Sequence, residues 1–182
     1  MTKPCHIVLI SGKRKCGKDF LSEKLNQRLP ESEIIRISEP IKSSWAKELN
    51  LDLKLLMSDG PYKEKYRKDM IEWSDQVRAK DSGFFCRAAM AKATSKVVIV
   101  SDIRRKTDIK FFKEEYGHLV KTVRISCPDG IRQERGWMFQ EGVDDVQSEC
   151  DLDDFLVWDF EFLNDGKEDI ERFFETVNKW VV

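Results

Sequence analysis

The sequence predicts an α/β fold with a five-stranded parallel sheet, on three observations. Short apolar runs alternate with helical patterns along the whole chain, a glycine-framed basic loop joins the first run to the first helix, and no internal repeat or low-complexity tract interrupts the order. Such an order covers a parallel sheet on both faces and gathers the loops at the carboxyl ends of the strands, where ligands bind.

His6-Ile7-Val8-Leu9-Ile10 is a run suited to a buried parallel strand, and beyond the loop Leu21, Leu25 and Leu29 recur every four residues, as on one helix face. Ile34 to Ser38, Val97 to Val100, Leu119 to Ile125 and Val157 to Leu163 supply the other four strands. From Pro61 to Val77 a helix places Tyr62, Tyr66, Met70, Trp73 and Val77 on one side, mostly as core. Its opposite side carries Lys63, Arg67 and Lys68, with Arg78 and Arg87 beyond; these either form a solvated face or clasp an acidic small molecule. The last helix, with Ile170, Phe173, Phe174, Val177 and Val181 on one side, is packing.

A chain of 182 residues, 41% hydrophobic and 36% charged, has the length of one domain with a sizeable core, spanning 1–182. The formal charge of −1 argues against a nonspecific nucleic-acid binder, although basic residues gather in the loop and around Arg104-Arg105-Lys106. No apolar stretch approaches 18 residues, and Ile7 to Ile10 after Met1-Thr2-Lys3-Pro4-Cys5 is too short for a signal-peptide core. A cytoplasmic monomer without membrane or nucleic-acid partners is expected. The five cysteines, without a C-x-x-C pair, read as reduced thiols, and His6 and His118 lack ligand neighbours at metal spacing.

Gly12-Lys13-Arg14-Lys15-Cys16-Gly17-Lys18-Asp19 fits the phosphate-loop pattern G-x-x-x-x-G-K-[ST] at every position but the last. Backbone N–H groups curling round a helix N-terminus form a donor surface for phosphate oxygens; Gly12 and Gly17 can take positive φ and allow close approach, with Lys18 on the terminal phosphates. A basic turn that binds nothing is the alternative. Asp19, in place of the Ser or Thr, either holds Mg²⁺, directly or through water, or caps the helix. Cys16 is expected to have its thiolate favoured, or else to be simply a small residue.

At the end of the third strand, Ser101-Asp102-Ile103-Arg104-Arg105 puts a carboxylate and two guanidinium groups on the rim of the sheet. Asp102 is placed to support magnesium or to cap a turn, Arg104 to grip phosphate oxygens, and Arg105 either to join it or to face solvent. Residues 128–154 begin with Arg132 and Arg135 and continue through an acidic run from Glu141 to Asp154, the pattern of a mobile lid whose acids keep it soluble. Pattern and spacing thus reach a phosphotransferase with an acidic acceptor. A nucleoside monophosphate kinase and a noncatalytic, nucleotide-controlled binding module remain open beside it.

Several segments carry a resemblance: Ser11 to Asp19, Tyr62-Lys63-Glu64 with Arg67 to Ile71, Gly83 to Arg87, Ser101 to Arg105, and Arg135-Gly136-Trp137 with Gly142 to Asp145. Together they are similar to the animal phosphomevalonate kinases, from the first strand to Asn164. The resemblance implies a P-loop three-layer fold of the nucleoside-monophosphate-kinase type, with an acceptor-binding region at about 39–95 and the lid at about 128–154. It implies ATP as donor, mevalonate 5-phosphate as acceptor and a place in isoprenoid and sterol precursor synthesis. On this resemblance Lys13, Arg14, Lys15, Gly17, Lys18 and Asp19 match the ATP loop, to which the pattern adds Gly12 and Cys16, and Arg135 matches a nucleotide-contacting lid arginine. Arg78, Arg104, Arg105 and Arg124 match arginines of acceptor binding or turnover, and Asn164 a ligand-contacting asparagine. Lys18, Arg104, Asp19 and Lys13 are the candidate catalytic group. Ser is also found at the position of Cys16, so that change is expected to be neutral. Trp180-Val181-Val182 departs from the peroxisome-like tripeptide of some members.

Overall fold

The computed structural model describes residues 4–58, 60–167 and 169–181; the start of the leader reading (Met1 to Lys3) and Val182 of the closing tripeptide lie outside them. Strands β1 (His6–Ser11), β2 (Ser32–Ile35), β3 (Val97–Ile103), β4 (Val120–Ser126) and β5 (Phe160–Leu163) form one sheet in the order β2-β3-β1-β4-β5, with every pairing parallel. The helices are α1 (Lys18–Arg28), α2 (Ser38–Leu49), α3 (Leu53–Met57), α4 (Pro61–Lys80), α5 (Phe84–Met90), α6 (Lys106–Tyr116), α7 (Asp129–Glu134), α8 (Gln147–Cys150) and α9 (Ile170–Val181).

Alternation along β1 builds two cores. Ile7 and Leu9 face Phe85 and Cys86 of α5 and Ile109 and Phe112 of α6, while Val8 and Ile10 face Leu21 and Leu25 of α1 and Phe173, Phe174 and Val177 of α9. Both layers bury all of β3 and all of β1 past His6, as their apolar runs require. Burying each of the largest side chains, such as Phe85, Phe112 and Phe173, contributes about 1.5–3 kcal/mol. The expected stripe of α4 is divided: Met70 joins Trp45 and Leu56 in a third cluster, and Val77 packs on the first core.

Strand boundaries differ from the sequence reading at β2, β3 and β5, the last beginning at Phe160 and not at Val157. β2 ends at Ile35 and α2 begins at Ser38, because Pro40 suits a first helical turn and the Asp102 carboxylate accepts from the N–H groups of Ile37 (2.7 Å) and Ser38 (2.9 Å). β3 runs on through Ser101, Asp102 and Ile103, so Asp102 lies within the strand and Arg104 is the first residue past it. Ser11 pairs with Ile103 on one side and Arg124 on the other, which sets the start of the phosphate loop level with both arginine-bearing rims.

Candidate active site

The loop between β1 and α1 is shaped from both sides. Gly17 is the N-cap of α1 at φ +93°, with no side chain capping it, so the first-turn N–H groups lack an intrahelical partner. The second positive φ of the loop belongs to Lys15 (+61°), and Gly12 serves by close approach instead. Gly12 is needed for space: a Cβ there would lie 2.5 Å from Cys16 Sγ and 2.7 Å from the Ile125 carbonyl oxygen. Arg132 Nε donates to the Arg14 carbonyl (2.8 Å) and Asn164 Nδ2 to that of Cys16 (2.9 Å). Because C=O and N–H point oppositely in a trans peptide, these bonds turn the N–H groups of Lys15 and Gly17 the other way. Arg135 Nη1 reaches the Lys15 carbonyl at 3.4 Å.

Cys16 corrects the thiolate expectation. Its thiol is 1% exposed, and burial, outweighing the attraction of Lys18, pushes its pKa above the ordinary range. It is a small core residue under the loop.

Two cavities flank this loop. The larger, about 440 Å³, starts at Lys18 and Asp19 and is bounded by Ser38 and Lys42 of α2, Lys63, Arg67 and Arg78 of α4, and Asp102, Arg104 and Arg105 of β3 and the turn after it. Eight basic side chains line it against four acidic ones. The smaller, about 340 Å³, lies on the β4 side among Lys13, Cys16, Arg124, Arg132 and Trp137. Arg124 is therefore separated from Arg78, Arg104 and Arg105, because β4 stands across β1 from β3. Arg87 is absent from either lining and pairs with Asp81 at the surface.

Each rim cation already has a carboxylate. Arg78 pairs with the buried Asp108 (2.6 Å), Arg105 with Asp75, and Arg104 with Glu149, which lines both cavities. Burial would pull the Arg104 pKa down, but Glu149, Asp102 and Asp19 together raise it. Arg105 does not face solvent: it is 7% exposed, and burial lowers its pKa despite Asp75. Around the loop, Lys13 pairs with Asp153 (2.6 Å), Arg14 with Asp144 (3.1 Å) and Arg124 with Asp153 (3.0 Å). The acidic run of residues 141–154 thus grips the phosphate-loop cations, where solubility alone had been expected. Arg132 lies over the Trp137 ring at 3.9 Å, and the Trp137 indole N–H donates to Asp144 (3.2 Å).

For magnesium, the donor set is two oxygen-bearing carboxylates in one cavity. Asp19 is largely exposed and 3.1 Å from Lys18 Nζ, whereas Asp102 accepts two backbone N–H bonds. No group of three or more His, Cys, Asp or Glu among the described residues could hold a metal ion. A hard cation that arrives on phosphate oxygens takes one or two carboxylates from the protein, and Asp19 and Asp102 are oxygen ligands of that kind. Arg36, Lys42 and Asp108 escaped the sequence reading.

The family model for phosphomevalonate kinase matches residues 10–118. A phosphomevalonate kinase of Drosophila melanogaster is 57% identical over 172 residues, covering 91% of each chain. Among solved structures, a protein of Chloroflexus aurantiacus proposed to be a kinase aligns over 100% of both chains at 15% identity with a TM-score of 0.52, a likeness of fold alone. A shikimate kinase of Aquifex aeolicus aligns over 95% of this chain and 94% of its own at 13% identity, with a TM-score of 0.46. No helix among the described residues is long and apolar enough to cross a membrane. With the parallel sheet and its phosphate loop already in place, the family match has one meaning: the chain belongs to the phosphomevalonate kinase family and is a kinase.

Proposed function

We propose that the chain moves the γ-phosphoryl group of ATP onto mevalonate 5-phosphate, giving mevalonate 5-diphosphate and ADP, as a cytosolic monomer serving isoprenoid and sterol precursor synthesis. The observation that carries this reading is the larger cavity: it opens at Lys18 and Asp19, ends among arginines and lysines, and has a basic excess suited to an acceptor bearing both a phosphate and a carboxylate. Residues 1–182 act as one kinase domain, with the acceptor region at about 39–95 and a closing lid at about 128–154.

An acceptor phosphate is already a nucleophilic oxyanion near neutral pH, with its second pKa about 6, so no general base is needed. The barrier is repulsion between two anions brought into line. Lys18, with the N–H groups of Lys15 and Gly17, holds the β- and γ-phosphates, and Lys13, Arg14 and Arg135 close on them from the sides. Arg78, Arg104 and Arg105 hold the acceptor phosphate, and Arg104, the first residue past β3, stabilises charge on the transferred oxygens. Arg124 and Arg132 serve the donor side through the smaller cavity, and Asn164 keeps the loop shaped through Cys16. Asp19 and Asp102 would hold Mg²⁺, which when bound neutralises the triphosphate.

The test is ADP formation by the purified protein with Mg-ATP and a panel of acceptors. ADP released with mevalonate 5-phosphate and not with nucleoside monophosphates supports the proposal. Release with a nucleoside monophosphate alone, or with none, overturns it.

A further inference from the structure

One buried carboxylate touches all three acceptor-side arginines and has no part in the transfer just described. Asp108, in the first turn of α6, is 0% exposed. Its Oδ2 accepts from the backbone N–H groups of Arg104 (3.2 Å) and Arg105 (3.1 Å), and its Oδ1 accepts from Arg78 Nη1 (2.6 Å) and lies 3.5 Å from the Cys86 thiol.

Capping α6 explains only part of this. A cap needs a neutral oxygen for the backbone at Arg105, which Asn supplies equally well. The contact with Arg78 crosses thirty residues of sequence and joins two side chains that are 10% and 1% exposed, so here it is the negative charge that matters. Arg78 has five N–H donors, and the bond to Asp108 occupies one of them, leaving others for a ligand while the guanidinium lies 5.5 Å from the centre of the Phe85 ring.

We propose that Asp108 is a positioning residue for the phosphate acceptor. It fixes the backbone at Arg104 and Arg105 and aims Arg78, so that three cations stand in place before the substrate arrives. Preset donors need no reorganisation at the moment of reaction, and small misplacements of such groups are expensive in rate. This inference rests on the proposed placement of the acceptor phosphate among Arg78, Arg104 and Arg105.

Asp108→Asn keeps the caps and removes the charge. Steady-state kinetics should show the KM for mevalonate 5-phosphate rising on the order of tenfold and kcat falling, with the KM for ATP and the circular dichroism spectrum unchanged. In an Arg78→Ala background the same substitution should add less than about threefold, because the partner is already gone. If Asp108→Asn fails to fold, Asp108→Glu, which keeps the charge and shifts it by one methylene, should give the same split between the two KM values. Equal loss for both substrates, an unchanged acceptor KM, or full additivity with Arg78→Ala overturns the inference. Arg78→Ala and Arg104→Ala measured alongside separate the two levels. Unimpaired acceptor kinetics in both would remove the acceptor placement itself, whereas impaired arginine variants beside an unimpaired Asp108→Asn would remove only the role of Asp108.

Discussion

Arg78, on the proposed acceptor side, and Lys13 and Arg124, on the proposed donor side, are held by carboxylates of very different burial. Asp108, which holds Arg78, has a side chain 1% exposed, whereas Asp153, which pairs with both Lys13 and Arg124, is 40% exposed. A buried charge cannot lose its partner without leaving the other unpaired in a poorly solvated place, so the Asp108 cluster is a permanent fixture. A surface pair contributes about 0–1 kcal/mol and is screened by salt, so phosphate oxygens can displace it. On the proposed reading, Arg78 is set in advance, while Asp153 beside Lys13 and Arg124 stands where phosphates would come; the pairs Arg105–Asp75 and Arg14–Asp144 do not divide in this way, with Asp75 41% and Asp144 5% exposed.

The sharpest break in that comparison comes from Arg104→Ala. Turnover is expected to fall on the order of 10³-fold, with the fold kept by circular dichroism, and a loss below about tenfold would take Arg104 out of the reacting shell. On the same buried side, Asp108→Asn is the next largest effect, as described above. Asp153→Ala acts in the opposite direction. Removing a carboxylate that competes for Lys13 and Arg124 should lower the KM for ATP by up to about fivefold at low salt, an advantage that shrinks as salt is added. A raised KM would mean that Asp153 organises the loop and does not compete with the nucleotide.

The thiols give the smallest effect and a pH test. Burial raises Cys86 strongly, with Asp108 adding to it, so the folded state keeps this proton after the unfolded chain has lost its own. Stability from this source is therefore complete below the unfolded value, about 8.5, and declines as pH rises above it. Denaturant midpoints between pH 8 and 10 should fall less steeply in Cys86→Ala than in the unmodified chain. An identical slope would show that the thiol does not titrate in this way.

How much of this was legible in the sequence depended on distance along the chain. The phosphate loop, all five strands and the α4 stripe are written in local spacing, and each is found near its predicted place. Glu149 and Asp108 pair with arginines 45 and 30 residues away, and no period or motif encodes such pairs. The Cys16 thiol was misread for a similar reason: the loop's positive charge is visible in sequence, but the burial that outweighs it comes from packing beneath the loop. That Gly12 would allow close approach was legible, but its neighbour Ile125 becomes visible only when β4 is laid beside β1, and the positive φ of Lys15 had no signal.

The most direct measurement is a single turnover with γ-labelled ATP, enzyme in excess, and mevalonate 5-phosphate as acceptor. The expected result is label passing from ATP into mevalonate 5-diphosphate at a rate that collapses in Arg104→Ala. Label appearing only in inorganic phosphate, or passing instead to a nucleoside monophosphate, would contradict the account.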